Sequence, residues 1–217
     1  MFYTINYNNL DLYLGTISDA VQFDFDDKAG HYVRLPRITQ ANKGIAGPAF
    51  TCYAQAVKNV EDIKDNIRID MLKAMPPGCI QLLGGCYNYK DIAHYGDISA
   101  LLASKRGAVG CVLDGYTRDV DAINKMDFPV WGEGAHVADA FGKWQITDYQ
   151  VPITIGEKLV HPGDWLFCDS DGVFVVYAKY VERVIDCALS RTANESKIRS
   201  ALQIKDPKEV YYEFGRW

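Results

Sequence analysis

An α/β fold class is predicted by three features of this chain. Apolar strand-like runs alternate with amphipathic helical runs through residues 79–131. A β-rich stretch follows from about residue 140 to 176, and a long helical pattern runs from Val181 to about Leu202. Strand–helix–strand units of this kind favour a largely parallel central sheet with helices outside it. The 217 residues, 48% hydrophobic and 24% charged, suffice for one compact domain with a substantial core. We therefore expect one domain over 1–217, with an N-terminal extension over 1–15 and C-terminal helices over 181–217.

Taken in order, Thr16-Ile17-Ser18-Asp19-Ala20 carries a helix-start signature with Ser18 or Asp19 as the cap. Residues 45–57 read as a glycine-punctuated strand. Val60, Ile63, Ile67, Met71, Leu72 and Met75 recur at helical spacing until Pro76-Pro77-Gly78 stops them. CIQLL at 79–83 reads as a buried strand, and the glycine-rich residues 84–96 as an active-site loop. Asp97 to Arg106 forms a short amphipathic helix ended by Gly107, and VGCVL at 109–113 another apolar strand. Val120, Ile123 and Met126 give a helix after Arg118-Asp119, and FPVW at 128–131 a strand. WQITDYQVPITI alternates as strands do, HPGD is a turn, and WLFCD and VFVVY flank the turn at SDG. Asp206-Pro207 starts a last short helix, with Asp at the N-cap and Pro at the first helical position.

Composition excludes several functions. A formal charge of −5, with Lys105-Arg106 as the longest basic run, argues against a nucleic-acid or membrane surface. No window approaches the ~18 apolar residues of a membrane span, and the first residues lack the pattern of a secretion signal. The six cysteines form no CxxC pair and several lie in apolar runs, so buried free thiols in a reduced, cytoplasmic compartment are expected. The histidines, His31, His94, His136 and His161, show no zinc-ligand spacing. His94, in the glycine-rich loop, is the best placed of them for a pocket. No GxSxG, P-loop or dinucleotide fingerprint is present.

The stretch GDISALLASKRGAVGCVLDGYTRD, residues 96–119, carries the chemistry. It sets Asp97 at a helix start and, twenty residues on, Arg118-Asp119 at a strand-to-helix junction. Arg118 offers a planar fork of donors matched to the oxygens of a 2-oxo acid. A cation such as Mg²⁺ needs only one or two protein carboxylates, taking water and substrate oxygens for the rest. The plainer alternatives are a surface Arg–Asp pair of little energetic value and an Asp97 that only caps its helix, accepting the N–H of Ser99 or Ala100. Asp114-Gly115 and Asp169-Ser170-Asp171-Gly172 read as turns. Glu195 and Arg199 stand four apart, as an ion pair on one helix does.

With these residues in view, the chain resembles the class II pyruvate aldolases that cleave 4-hydroxy-4-methyl-2-oxoglutarate and 4-carboxy-4-hydroxy-2-oxoadipate. Their relatives include the regulator of ribonuclease E activity A. The shared hallmark is Asp, twenty residues, then Arg-Asp, matched by Asp97, Arg118 and Asp119. The frame matches too, at TISDAV (16–21), GPAFT (47–51), FPVW (128–131) and VHPGDWLFCDSDGVFVV (160–176). Gly156-Glu157 departs from the usual Gly-Gly, and GEGAHVADAFGKW after FPVW is unfamiliar.

The resemblance implies a swivelling β/β/α fold, assembled as a trimer or a dimer of trimers with sites between subunits. It implies that Asp119 holds Mg²⁺ or Mn²⁺ largely through water, and that Arg118 binds the oxo oxygen of pyruvate and stabilises its enolate. It further implies that the Ile98 and Ser99 amides cradle the carboxylate and that Asp97 orients the water relaying protons. Glu195, in the context ESKIR, would reach in from a neighbouring subunit. The activity implied is aldol cleavage of a small 4-hydroxy-2-oxo acid to pyruvate, with oxaloacetate decarboxylation beside it. A protein-binding regulator of a ribonuclease, without chemistry, is the alternative from a different class. Retention of Asp97, Arg118, Asp119 and Glu195 together favours the enzyme.

Overall fold

The apolar runs of the sequence become strands in this computed structural model, which describes residues 12–40, 44–59 and 65–215. In chain order the strands are β1 (Gly30–Val33), β2 (Ile45–Ala56), β3 (Ile80–Gly84), β4 (Gly110–Leu113), β5 (Tyr116–Thr117) and β6 (Val130–Trp131). They continue as β7 (Gly134–Ala135), β8 (Trp144–Tyr149), β9 (Ile153–Ile155), β10 (Lys158–Val160), β11 (Trp165–Asp169) and β12 (Gly172–Val176). The main sheet runs β1-β12-β11-β2-β3-β4-β6, with β8 also on β2. It is not largely parallel. Only β2, β3, β4 and β6 run parallel, while β1, β12, β11 and β8 are antiparallel to their neighbours. The reason is local: the turn at Ser170-Asp171 is too short for a crossover, so it can only fold β12 back against β11. The long β2 joins the halves, pairing β11 through residues 45–48 and β3 through 49–53.

The helices are α1 (Leu14–Phe25), α2 (Asp65–Ala74), α3 (Asp97–Lys105), α4 (Val120–Asn124), α5 (Val181–Leu202) and α6 (Pro207–Phe214). Alternation along the strands divides the core. Phe167, Phe174 and Val176 pack under α1 and α5, and Leu83, Cys111 and Leu113 pack with residues of α2, α3 and α4. The opposite-facing Leu82, Val112, Leu166 and Val175 pack with Ile153, Ile155 and Val160 of the β9–β10 ribbon. The layers are thus ribbon, sheet and helices, the expected β/β/α order within a mixed α/β class. Burial of each large side chain, Phe50 and Phe167 among them, contributes roughly 1.5–3 kcal/mol.

One helix start differs from expectation, and another falls on residues outside those described. The helix expected to begin at Ser18 or Asp19 opens at Leu14, because the Leu14 amide donates to Asp169 Oδ2 at 2.9 Å from the β11–β12 turn. Of the expected 15-residue extension, residues 1–11 lie outside the described residues. The helix expected from Val60 is described only from Asp65. The C-terminal helices match: α5 spans Val181–Leu202, and Asp206 caps α6 by accepting from the Lys208 amide at 2.9 Å, with Pro207 next. The six thiols are free, five of them buried. Burial raises the pKa of the buried thiols, that of Cys79 to about 12, so the five buried cysteines are inert packing groups. Among the described residues no helix is long and apolar enough to cross a membrane.

Candidate active site

Residues 22 positions apart meet because two chain segments are stitched at Tyr95. The Tyr95 ring is buried, and its hydroxyl donates to Gln81 Oε1 at 3.2 Å. Its carbonyl accepts from the Arg118 amide at 2.8 Å and from Thr117 Oγ1 at 3.1 Å. The strand end bearing Arg118 is thereby held against the start of α3. A Cβ at Gly96 would stand 2.8 Å from Asp119 Oδ2, so a larger residue at the junction would displace that carboxylate.

Asp119 adopts a left-handed conformation, φ 58° and ψ 34°, at the N-cap of α4 without capping it through its side chain. Few non-glycine residues do this, and such backbone clusters at functional sites. The conformation turns the carboxylate toward α3, where Oδ2 accepts from the Asp97 amide at 3.4 Å and faces Arg118 Nε at 3.4 Å. Among the described residues Oδ1 accepts no hydrogen bond. Asp97 is the first residue of α3 and Gly96 is its N-cap; Asp97 Oδ1 accepts from the Ile98 amide at 2.7 Å. The expected cap on Ser99 or Ala100 is not made, because a side chain inside the first turn reaches its own neighbour more easily. The Ile98 amide is thus committed to Asp97, while the Ser99 amide, in the first turn, has no intrahelical acceptor.

A residue that sequence reasoning missed completes the arginine's surroundings. Asp139, between β7 and β8, meets Arg118 Nη1 at 2.7 Å through Oδ2 and accepts from the Phe141 amide at 2.6 Å through Oδ1. The Phe141 amide first, and the Arg118 guanidinium with it, hold the Asp139 carboxyl below the usual carboxylate range. No motif marks Asp139; it lies in the segment that matched no familiar pattern.

Arg118, Asp119, Asp97 and Asp139 edge one cleft of about 490 Å³ whose walls include Arg68, Met71, Leu83, His94, Trp144 and Ile146. His94 reaches it as expected, but it is buried. Its Nδ1 accepts from the Tyr116 amide at 3.2 Å, its ring meets Trp144 edge-on, and burial lowers its pKa to about 4. A neutral wall residue, not a proton donor at pH 7, results. Asp114 is more than a turn residue. Its buried carboxylate accepts from the Gly85 and Cys86 amides and pins the loop 84–96.

Glu195 lies elsewhere. On α5 it accepts from the Tyr13 hydroxyl and, at 2.7 Å, pairs with Arg199, the expected i,i+4 partner. It lines a separate hollow with Asp19, Arg191 and Arg199.

Among the described residues no three His, Cys, Asp or Glu side chains form a metal cage. The oxygen-only donor set at Asp119 and Asp97 suits a hard cation bound mostly by water, so these residues fit Mg²⁺ or Mn²⁺.

Fold and site together define a mixed α/β protein with an Arg–Asp pair and a helix start converging on an open cleft. Residues 15–175 match the RraA-like family model, described as Aldolase/RraA, and the chain belongs to that family. A protein of Halalkalibacterium halodurans provisionally named 4-hydroxy-4-methyl-2-oxoglutarate aldolase is 30% identical over 163 residues, 74% of this chain and 73% of its own. Protein DlpA of Legionella pneumophila is 26% identical over 112 residues, 52% of this chain but 18% of its own length. The crystal structure of Streptomyces coelicolor RraAS2, described as an unusual member of the RNase ES inhibitor RraA protein family, superposes with a TM-score of 0.74 at 21% identity, covering 90% of this chain and 93% of that one. That likeness shows the fold.

Proposed function

We propose that this protein is a divalent-metal-dependent carbon–carbon lyase. It cleaves 4-hydroxy-2-oxo acids, of the 4-hydroxy-4-methyl-2-oxoglutarate or 4-carboxy-4-hydroxy-2-oxoadipate type, to pyruvate, and decarboxylates oxaloacetate as a side activity. The observation that carries this reading is the convergence of Arg118 and Asp119 on the start of α3 at the cleft. Asp119 would hold Mg²⁺ or Mn²⁺, which when bound supplies Lewis-acid stabilisation of charge on the substrate's oxo oxygen. The Ser99 amide, at the positive end of α3, receives the substrate carboxylate. Arg118 directs its remaining N–H groups at the oxo oxygen. In retro-aldol cleavage the C4 hydroxyl loses its proton through a water held by Asp97, and the C3–C4 bond breaks. Its electron pair passes to the C2 oxygen as the pyruvate enolate, and C3 is then protonated. Arg118, preorganised by Asp139 and Asp119, stabilises charge where it develops.

Glu195 acts, on this reading, from a neighbouring copy in a homotrimer or hexamer, since in its own chain it faces a different hollow. A ribonuclease regulator acting through surface contacts needs none of the arrangement at Arg118.

Pyruvate release from a panel of 4-hydroxy-2-oxo acids and oxaloacetate is expected to vanish in chelator and return with Mg²⁺ or Mn²⁺. Full activity in chelator after dialysis overturns metal dependence. The Asp97→Asn variant keeps the acceptor for the Ile98 amide, so its stability should stay within about 0.5 kcal/mol of the parent. Its aldol cleavage should fall ~100-fold or more, while oxaloacetate decarboxylation, which deprotonates no hydroxyl, should suffer less. Equal loss of both activities removes Asp97 from proton transfer.

A further inference from the structure

The outermost strand of the main sheet carries a histidine that the lyase reading does not use. β1 ends the sheet and, among the described strands, pairs only with β12. Side chains two apart on a strand share a face, so His31 stands beside Val33, which packs with Ile155 and Val160 of the β9–β10 ribbon. The tip of that ribbon lies on β1: a Cβ at Gly156 would stand 3.1 Å from Val33 Cγ1. Across the ladder His31 is opposite Val175, and its ring centre lies 5.8 Å from that of Tyr177.

The side chain is partly exposed, yet both ring nitrogens are enclosed, and neither makes a hydrogen bond among the described residues. A neutral imidazole has one donor and one acceptor, and each loses its hydration here without a replacement. The charged groups that act on the ring are Lys158 and Asp164. Asp164, between β10 and β11, favours a protonated ring, but its oxygens already accept from the His161 and Ala178 amides, both at 2.9 Å. Lys158, on β10, opposes protonation, and Glu157 at the ribbon tip is exposed. Enclosure first, and the Lys158 ammonium with it, lower the His31 pKa to about 4. A proton added there creates a charge with two donors and no acceptor. The elements that enclose it are weakly secured, since β1 has one neighbour and the ribbon pairs only within itself.

We infer that His31 is an acid-sensitive latch: protonation of its enclosed ring releases β1 and the β9–β10 ribbon from one another while the centre of the sheet stays folded. The sign follows from linkage. The ring is neutral when the latch is closed, and once released it takes up a proton near the ordinary 6.5. The closed form is therefore fully favoured above about pH 6.5 and loses up to about tenfold per pH unit as the pH falls. Below about pH 4 both forms are protonated and the loss stops.

Hydrogen exchange on the full chain, corrected for the intrinsic pH dependence of amide exchange, tests this. Protection of β1 and of β9–β10 should fall about 100-fold or more between about pH 6.5 and pH 4, while that of β3 and β4 holds. In His31→Phe, which places an apolar ring in the same space, the profile should be flat. Should that variant fail to fold, the imidazole resonances of the wild-type protein decide: the His31 ring should stay neutral down to about pH 4. A flat wild-type profile, the same fall in His31→Phe, or an equal fall in β3 and β4 overturns the latch. So does a His31 ring that titrates near 6.5 in the folded protein.

Discussion

Arg118→Lys is expected to lose about 100- to 1,000-fold in kcat for pyruvate release, the usual consequence of removing one preorganised donor to a developing oxyanion. The geometry explains why a conserved charge is not enough. Nε faces Asp119 at 3.4 Å and Nη1 meets Asp139 at 2.7 Å, which leaves the rest of the fork for substrate. A lysine ammonium is a single point that cannot span two carboxylates and an oxo oxygen. Stability should barely change, because the Arg118 side chain is 37% exposed and exposed pairs contribute about 0–1 kcal/mol. Steady-state kinetics beside a melting curve check this. A variant within a few-fold of the parent removes Arg118 from the chemistry and leaves it a surface pair.

Asp119→Asn should be as damaging to activity, more than about 100-fold, and as harmless to the fold. Asparagine is among the few residues at ease in the left-handed region, and its side-chain oxygen can still accept from the Asp97 amide. It lacks the negative charge that a hard cation requires. The discriminating measurement is thermal stability across a Mg²⁺ titration. The parent should gain stability as the cation binds the native state, and the variant should not. Asp119→Ala, by contrast, pays roughly 1–2 kcal/mol for the same backbone conformation and should melt early. An Asp119→Asn protein that keeps its activity and its Mg²⁺-dependent stabilisation overturns the role given to Asp119.

Much of the architecture was legible from periodicity and punctuation. CIQLL, VGCVL and WLFCD are short apolar runs bounded by glycine, proline or aspartate, and each forms a buried strand within a residue or so of its expected limits. The amphipathic pattern from Val181 and the Asp206-Pro207 signal gave α5 and α6 because both are encoded within a few residues of sequence. Strand direction was less accessible, since an apolar run looks alike whether its neighbour is parallel or antiparallel. The loop 84–96 was recognisable by its glycines, yet what fixes it is Asp114, whose carboxylate reaches back to the Gly85 and Cys86 amides.

Spacing together with the family resemblance nominated Asp97, Arg118 and Asp119; spacing alone left the surface-pair and helix-cap alternatives open. It could not supply Asp139 or Arg68, which come from other segments and join the cleft only when β7, β8 and α2 are packed around it. Helix starts divide the same way. The cap of α6 is local and readable. The Leu14 amide of α1 finds its acceptor in Asp169, 155 residues away, and the Asp97 amide of α3 finds one in Asp119. The sequence by itself determined most of the elements and offered the Arg–Asp pair as a candidate, since these follow from short-range patterning, while the order of the layers came only through the family resemblance. Tertiary structure alone decided which helix ends are capped by distant carboxylates, which carboxylates hold Arg118, and that a second arginine faces the same cleft, because those are contacts between segments whose separation along the chain carries no periodic signal.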